Sequence, residues 1–280
     1  ELFKSWFNPG FLKLAKITWD TKAAVLEKII QYERVHKIKD MNELKRRLGE
    51  DRRFFSYFHP ALDDEPIIFV QVALTNGLGK SIQEIMKPSA EGAKKYDTAT
   101  FYSISNCQEG LSRVTLGNFL IKRVVYEIQE ELPNIKNFGT LSPIPGFRDW
   151  FTTLDEKIIQ NILGKIPYNN VSFLKSSDLK VGDGRIVSNK QAIIKLVAHY
   201  LMNEKNKKGL PINDVCRFHL GNGAIIDDIN INANVSEVGL NRSFGVMVNY
   251  LYELKNIEKN HEDYINNKKI IISDKLKKKL

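Results

Sequence analysis

Thr98-Ala-Thr-Phe-Tyr-Ser-Ile-Ser105 leads through Gly110-Leu-Ser-Arg-Val-Thr-Leu-Gly117 into Asn118-Phe-Leu-Ile-Lys-Arg-Val-Val-Tyr-Glu-Ile-Gln-Glu-Glu-Leu132. The first segment alternates Phe101, Ser103 and Ser105 against Tyr102 and Ile104, the period of a strand. The last places Leu120, Ile121, Val124, Val125 and Ile128 on one helical face, with Lys122, Glu127, Gln129 and Glu130 elsewhere. Pro133 ends that helix. The order is therefore strand, glycine-bearing loop, amphipathic helix. The first turn of such a helix carries unpaired N–H groups and a partial positive charge, which favour a phosphate. Gly110 and Gly117 let the backbone approach a ligand, and Arg113 adds a charge. There is no Gly-Lys-Ser/Thr and no GxGxxG, so the loop is neither a Walker A nor a Rossmann fingerprint. Alone, such a junction is more often plain structure than a site.

Working outward, residues 1–53 read as a helical lead-in. Ala23, Ala24, Leu26, Ile29 and Ile30 make an apolar stripe that Asp20 or Thr21 would cap. Asn42–Leu48 reads as a second helix stopped by Gly49. Arg46, Arg47, Arg52 and Arg53 form a basic cluster, either a solvated helix face or a phosphate contact. Ile67–Thr75 is rich in β-formers and is expected beside Thr98–Ser105 in one sheet. Residues 54–142 and 211–255 read as the sheet-forming core, including a short strand at Phe138–Leu141. Residues 143–210 read as a helical insert, interrupted around Val181–Gly184. Val215–Leu220, Ala224–Ile231 and Gly245–Tyr252 read as strands, the first two joined by a tight Asn222-Gly223 turn. The whole is mixed α/β rather than a regular βαβ array.

With 280 residues, 42% hydrophobic and 27% charged, the chain has the balance of one large or two small globular domains. That excludes a disordered, fibrous or disulfide-stapled chain. No apolar run approaches the ~20 residues of a spanning helix, so no membrane partner is expected. The net charge of +9 is concentrated at the end. Lys268–Leu280 holds six lysines and one aspartate, leaving +4 on the other 267 residues. The tail reads as a solvated end. The mildly basic body suits a small polyanion, and no nucleic-acid partner is expected. Cys107 and Cys216 form no CxxC, which points to a reducing compartment, the cytoplasm. The first residue is Glu1, so a removed upstream segment, including a mitochondrial targeting one, stays open.

Two further segments carry chemistry. Thr140-Leu-Ser142-Pro-Ile-Pro-Gly-Phe147 puts a serine at a strand end, held by a turn that two prolines stiffen. Arg217-Phe-His219-Leu-Gly-Asn-Gly-Ala224 puts a histidine late in a strand, before the turn. Singly, each residue is more often structural than catalytic.

Together with Phe101-Tyr-Ser-Ile-Ser105, Leu116-Gly-Asn-Phe-Leu-Ile-Lys122, Asn249-Tyr-Leu-Tyr252 and Trp6-Phe-Asn-Pro-Gly-Phe-Leu12, these segments resemble the malonyl-CoA decarboxylase family. The resemblance spans nearly the whole chain. It implies a GCN5-related N-acetyltransferase-like (GNAT-like) fold: a splayed mixed sheet with flanking helices, binding coenzyme A at the strand–loop–helix junction. It implies a CoA-binding loop of Ser112, Arg113, Val114, Thr115, Leu116, Gly117 and Asn118. It implies Ser142 and His219 as the catalytic pair, and Tyr252 as an active-site tyrosine. Some members carry a glutamate where this chain has Thr115, so an acidic role there is not carried over. The N-terminal helical domain of full-length members is expected to be absent, and a homo-oligomer of the full-length protein stays open.

The implied reaction turns malonyl-CoA into acetyl-CoA and CO₂. The thioester carbonyl accepts the electron pair left on the α-carbon, so neither a cofactor nor a metal is expected, and the CoA thioester is simply the substrate. The protein would anchor CoA, stabilise an enolate oxygen and protonate the α-carbon. A histidine with a pKa near neutrality is expected for the last task. Two other readings use the same loop: an acyl-CoA-dependent N-acyltransferase, and a non-catalytic CoA-thioester sensor.

Overall fold

Lys13–Lys16 (β1), Arg52–Phe58 (β2), Pro66–Thr75 (β3) and Thr98–Asn106 (β4) form an antiparallel meander, each strand paired with the next. The pairing of β3 with β4, Ile68 opposite Asn106 through Thr75 opposite Thr98, is the neighbour relation expected from sequence. They belong to a computed structural model that describes residues 9–87, 96–108, 116–166, 171–175 and 183–280. Two compact units divide it: residues 1–79 with 86–138, and residues 80–85 with 139–280.

In the first unit β3 is apolar along almost its whole length because both its faces are covered. Ala23–Tyr32 (α1) and Met41–Arg47 (α2) pack Val25, Leu26, Ile29 and Leu44 against Phe54 and Phe69. The short helix Ile82–Met86 (α3) follows β3 along the chain and belongs, but for Met86, to the second unit, while Leu116–Glu131 (α4) packs on β3. Leu120, Ile121, Val124, Val125 and Ile128 of α4 are all buried, as their spacing requires.

Three readings of this half change. The lead-in is not wholly helical, because β1 is a four-residue strand whose terminal lysines are exposed, and β2 begins at Arg52. So short a segment carries too little periodicity to declare itself. Neither Asp20 nor Thr21 caps α1; Lys22 holds the N-cap position without a side-chain capping bond. The arginine cluster is neither a solvated face nor free for a phosphate. Arg46 and Arg52 pair with Asp51 at 2.8 and 2.9 Å, Arg53 pairs with Glu131 at 2.7 Å, and buried Arg47 pairs with Glu43. Arg47 also donates to the His36 carbonyl at 2.7 Å.

After the brief passage at residues 80–85, the chain crosses into the second unit for good within Asn137–Thr140 (β5). Ser142–Pro143 (β6), Ile225–Asn230 (β7) and Met247–Leu251 (β8) complete its strands, and β5, β6 and β7 all pair antiparallel with β8. The insert supplies Phe147–Thr153 (α5), Glu156–Leu163 (α6), Gly184–Ser188 (α7) and Lys190–Met202 (α8). The first half of the break expected around Val181–Gly184 falls outside the described residues; Asp183 caps α7 and Gly184 opens it. Helix α8 is buried on most sides, with Ile193, Leu196, Val197 and Leu201 fully enclosed. Asp214–Gly221 (α9), Glu237–Ser243 (α10), Ile257–Asn267 (α11) and Asp274–Lys277 (α12) follow.

Val215–Leu220 is therefore helix, not strand. Cys216, His219 and Leu220 recur at helical spacing and are all buried, while the strand reading took the local alternation at face value. Asn213 caps the helix through its side-chain oxygen, and Asn222-Gly223 closes it instead of turning a hairpin. Gly223 has φ +80°, and a Cβ there would lie 2.2 Å from the Ile257 carbonyl oxygen.

The lysine tail is docked, not solvated. Ile272 bridges Ile226 in parallel, Ser273 caps α12, and Leu276 is fully buried. Lys275 reaches Asp228 at 2.8 Å and Lys279 bonds the same carboxylate. Burial alone would raise the Asp228 carboxyl; the two ammonium groups outweigh it and hold the group below the ordinary carboxylate range. Among the described residues no helix is long and apolar enough to cross a membrane.

Candidate active site

Ser142 lies on β6, two residues beyond Thr140 of β5. Residues two apart in extended chain share a face, and the Ser142 hydroxyl donates to Thr140 Oγ1 at 2.8 Å. The pairing of Ser142 with Val248 fixes the serine beside β8. His219 comes from the last turn of α9, which packs on β7. Its Nε2 lies 3.0 Å from Ser142 Oγ. Tyr252 stands just past β8, its hydroxyl 2.9 Å from His219 Nδ1. Ser142, His219 and Tyr252, far apart in the chain, thus form one hydrogen-bonded line within the second unit.

The direction of the protons follows from the neighbours. Thr140 Oγ1 accepts from Ser142 and, at 3.3 Å, from the Tyr250 backbone N–H. With its own proton given to Thr140, Ser142 Oγ accepts from Nε2–H. Nδ1 then carries the lone pair and accepts from the Tyr252 hydroxyl. This assignment gives each ring nitrogen a partner of the right kind.

Burial sets the charge. His219 is 3% exposed, and desolvation pushes its pKa down to about 3. The imidazole is neutral around pH 7, not poised near neutrality as its expected role in proton transfer suggested. Tyr252, equally buried, is pushed up, so its phenol keeps its proton and stays a donor. The Tyr250 ring stacks on the imidazole at 4.5 Å and 27°, adding apolar cover on one face.

Asn249-Tyr-Leu-Tyr252 contributes through three residues. Asn249 Nδ2 donates to the Thr140 carbonyl at 2.8 Å, Tyr250 stacks, and Tyr252 bonds Nδ1. Of the remaining expected site residues, Ser112, Arg113, Val114 and Thr115 lie outside the described residues. Leu116, Gly117 and Asn118 form the first turn of α4, in the first unit; the helix starts two residues earlier than expected, so these three belong to helix rather than loop.

Sequence reasoning did not single out Thr140, Tyr250, Asn249 or Asn213. The signal for Thr140 was its i, i+2 spacing from Ser142. Asn213 had the signature of a helix cap once the following segment is read as helix. Tyr250 carried no separate signal, since a buried strand tyrosine is ordinary.

Comparison with known proteins places these residues in context. The family model described as the malonyl-CoA decarboxylase C-terminal domain matches residues 10–280. The mitochondrial malonyl-CoA decarboxylase of Anser anser anser is 38% identical over 99% of this chain, which spans 59% of that relative. The corresponding protein of Rattus norvegicus is 37% identical over 99% of this chain, which spans 60% of it. The crystal structure of malonyl-CoA decarboxylase from Agrobacterium vitis is 40% identical and superposes with a TM-score of 0.90, over 99% of this chain and 69% of that one. At 12% and 15% identity, the loading GNAT-like domain of CurA from Lyngbya majuscula and the GNAT-like decarboxylase GphF superpose with TM-scores of 0.53 and 0.51. They cover 88% and 86% of this chain, and 98% of each of those chains is matched. The fold is therefore mixed α/β and GNAT-like.

Proposed function

The chain belongs to the malonyl-CoA decarboxylase family, and from that premise we propose that it converts malonyl-CoA to acetyl-CoA and CO₂. The observation that carries the reading is the line Tyr252–His219–Ser142, in which a buried, neutral imidazole presents its Nε2 proton to a serine hydroxyl.

Decarboxylation breaks the bond between the α-carbon and the carboxylate. CO₂ leaves, and the bonding pair moves toward the thioester carbonyl to give an enolate. The substrate is its own electron sink, so the reading calls for no cofactor. The α-carbon of that enolate then takes a proton from a nearby donor. On this proposal Ser142 exchanges its Thr140 acceptor for the malonyl carboxylate, and His219 delivers its Nε2 proton to the α-carbon. Charge builds on the ring as that proton departs. The Tyr252 hydroxyl at Nδ1 stabilises it, and a proton from solvent restores the imidazole. A neutral imidazole N–H also serves as the hydrogen-bonding electrophile at a substrate carbonyl in other enzymes where the local field lowers its pKa. The Tyr250 ring covers one face of the imidazole, and such a low-polarity cover disfavours a localised carboxylate relative to CO₂ and the more delocalised enolate it becomes.

Ser112–Asn118, running into the first turn of α4, is proposed to take the CoA moiety, since a helix start offers N–H groups to phosphate. Two buried, unpaired thiols, Cys107 and Cys216, suit a reducing compartment, and we place the protein in the cytoplasm. The test is purified protein with malonyl-CoA, following acetyl-CoA and CO₂ with no added metal or cofactor. Stoichiometric release of both supports the proposal. Tight binding without turnover, or acyl transfer to an amine without CO₂ release, overturns it.

A further inference from the structure

The serine turn and the histidine helix meet at one side chain. Asn213 precedes α9 and is 2% exposed. Its Oδ1 accepts from the Cys216 backbone N–H at 2.8 Å, capping the helix that carries His219. Its Nδ2 donates to the Pro145 carbonyl, also at 2.8 Å. The Tyr200 hydroxyl donates to the same carbonyl at 3.1 Å, so both lone pairs of Pro145 O are occupied. Pro145 stands three residues after Ser142, in a turn whose φ is fixed at Pro143 and Pro145. A displacement of the Pro145 carbonyl therefore passes to Ser142 with little slack. On the other side, His219 is on the helix whose first turn Asn213 closes, and a helix moves as a rod.

Many residues cap helices, but Asp can only accept, and Ser or Thr is too short to span both groups. A planar amide offers an acceptor and a donor in fixed relation, which the two 2.8 Å contacts use together. We infer that Asn213 is a positioning residue for the reaction: its one amide sets the Ser142–His219 approach by tying the serine turn to the start of the histidine helix. The inference rests on the decarboxylase reading of that pair.

The test uses the full chain with Asn213→Ser, which keeps a capping oxygen, and Asn213→Asp, which keeps the cap and cannot donate to Pro145. Each is assayed for kcat and KM with malonyl-CoA, for folded fraction by thermal melting, and for the His219 ring resonances after ¹⁵N-histidine labelling. The expected result is a kcat lower by about 10–100-fold, the scale of a small misplacement of reacting groups, with KM unchanged. The His219 Nε2 resonance should shift while the folded fraction holds. A wild-type kcat with an unmoved resonance overturns the inference, and so does a kcat loss no larger than the loss of folded protein. If wild-type protein releases no CO₂, the decarboxylase reading has failed instead. The ring resonance alone then decides whether Asn213 sets the pair's geometry.

Discussion

Tyr252 and Ser142 bond opposite nitrogens of one buried imidazole, the phenol 2.9 Å from Nδ1 and the serine oxygen 3.0 Å from Nε2 of His219. Ser142 comes from a strand, Tyr252 from just past the end of another, and the ring from a helix. Burial keeps the ring neutral, so the line can pass a proton but does not store a positive charge. It differs from a Ser-His-acid triad, where a carboxylate stabilises an imidazolium. A phenol in that place favours a ring that gives up a proton over one that gains it.

Removing either end of the pair tests the chemistry. His219→Asn and Ser142→Ala should each lower kcat by about 10²–10⁴-fold, the usual worth of a positioned proton donor, with far less effect on CoA affinity. Release of ¹⁴CO₂ from labelled malonyl-CoA at the wild-type rate by either variant would remove that residue from the mechanism.

Tyr252→Phe leaves the ring packed but takes the donor from Nδ1. A buried hydrogen bond of this kind is worth about 1–3 kcal/mol, so kcat should fall by about 10–100-fold if the bond matters most as the proton leaves. KM should hold. A fall confined to KM would assign Tyr252 to substrate binding instead.

The depressed His219 pKa makes stability depend on pH. The unfolded chain binds this proton near pH 6.5, and the folded chain only near 3. The unfolded state therefore holds more protons between those values, and stability rises with pH across the window. The contribution is complete above 6.5 and is lost as pH falls toward 3, at up to about 1.4 kcal/mol per pH unit. Urea unfolding across that range should show the slope, and His219→Gln should flatten it. An unchanged slope in the variant would mean the ring is not neutral in the fold.

Gly223 ends the histidine helix at φ +80° with the Ile257 carbonyl pressed against it. Gly223→Ala should destabilise the protein by more than about 2 kcal/mol, from backbone strain and a clash with a main-chain atom. Denaturant midpoints measure it; a midpoint within error of wild type would contradict the helix ending described.

The docked tail makes a further claim. Lys275→Met with Lys279→Met leaves the Asp228 carboxylate buried without its partners, and both lysines are partly exposed, so the expected cost is modest, about 1–2 kcal/mol. Calorimetry should show a lower Tm that high salt does not restore. No change in Tm would mean that the tail is solvated after all.

Much of this fold was legible in the chain. The stripe of Leu120, Ile121, Val124, Val125 and Ile128 declared α4, and the β-formers of 67–75 declared β3, because long periodic segments record which of their faces is buried. Short segments do not. The four residues of β1 and the six of Val215–Leu220 fit more than one period, and in the second case the flanking Asn213 cap and the Asn222-Gly223 ending favour helix over strand.

The sequence by itself determined the family, the mixed α/β class and which serine, histidine and tyrosine to watch, since those are carried by residue identity and order. Tertiary structure alone decided that His219 is neutral, that Thr140 accepts the serine's hydrogen bond, that one asparagine holds both segments and that a lysine-rich end folds onto Asp228. Each of these depends on what lies within a few ångströms of a group and on how much water reaches it. Neighbours distant along the chain set those quantities, and no local pattern encodes them.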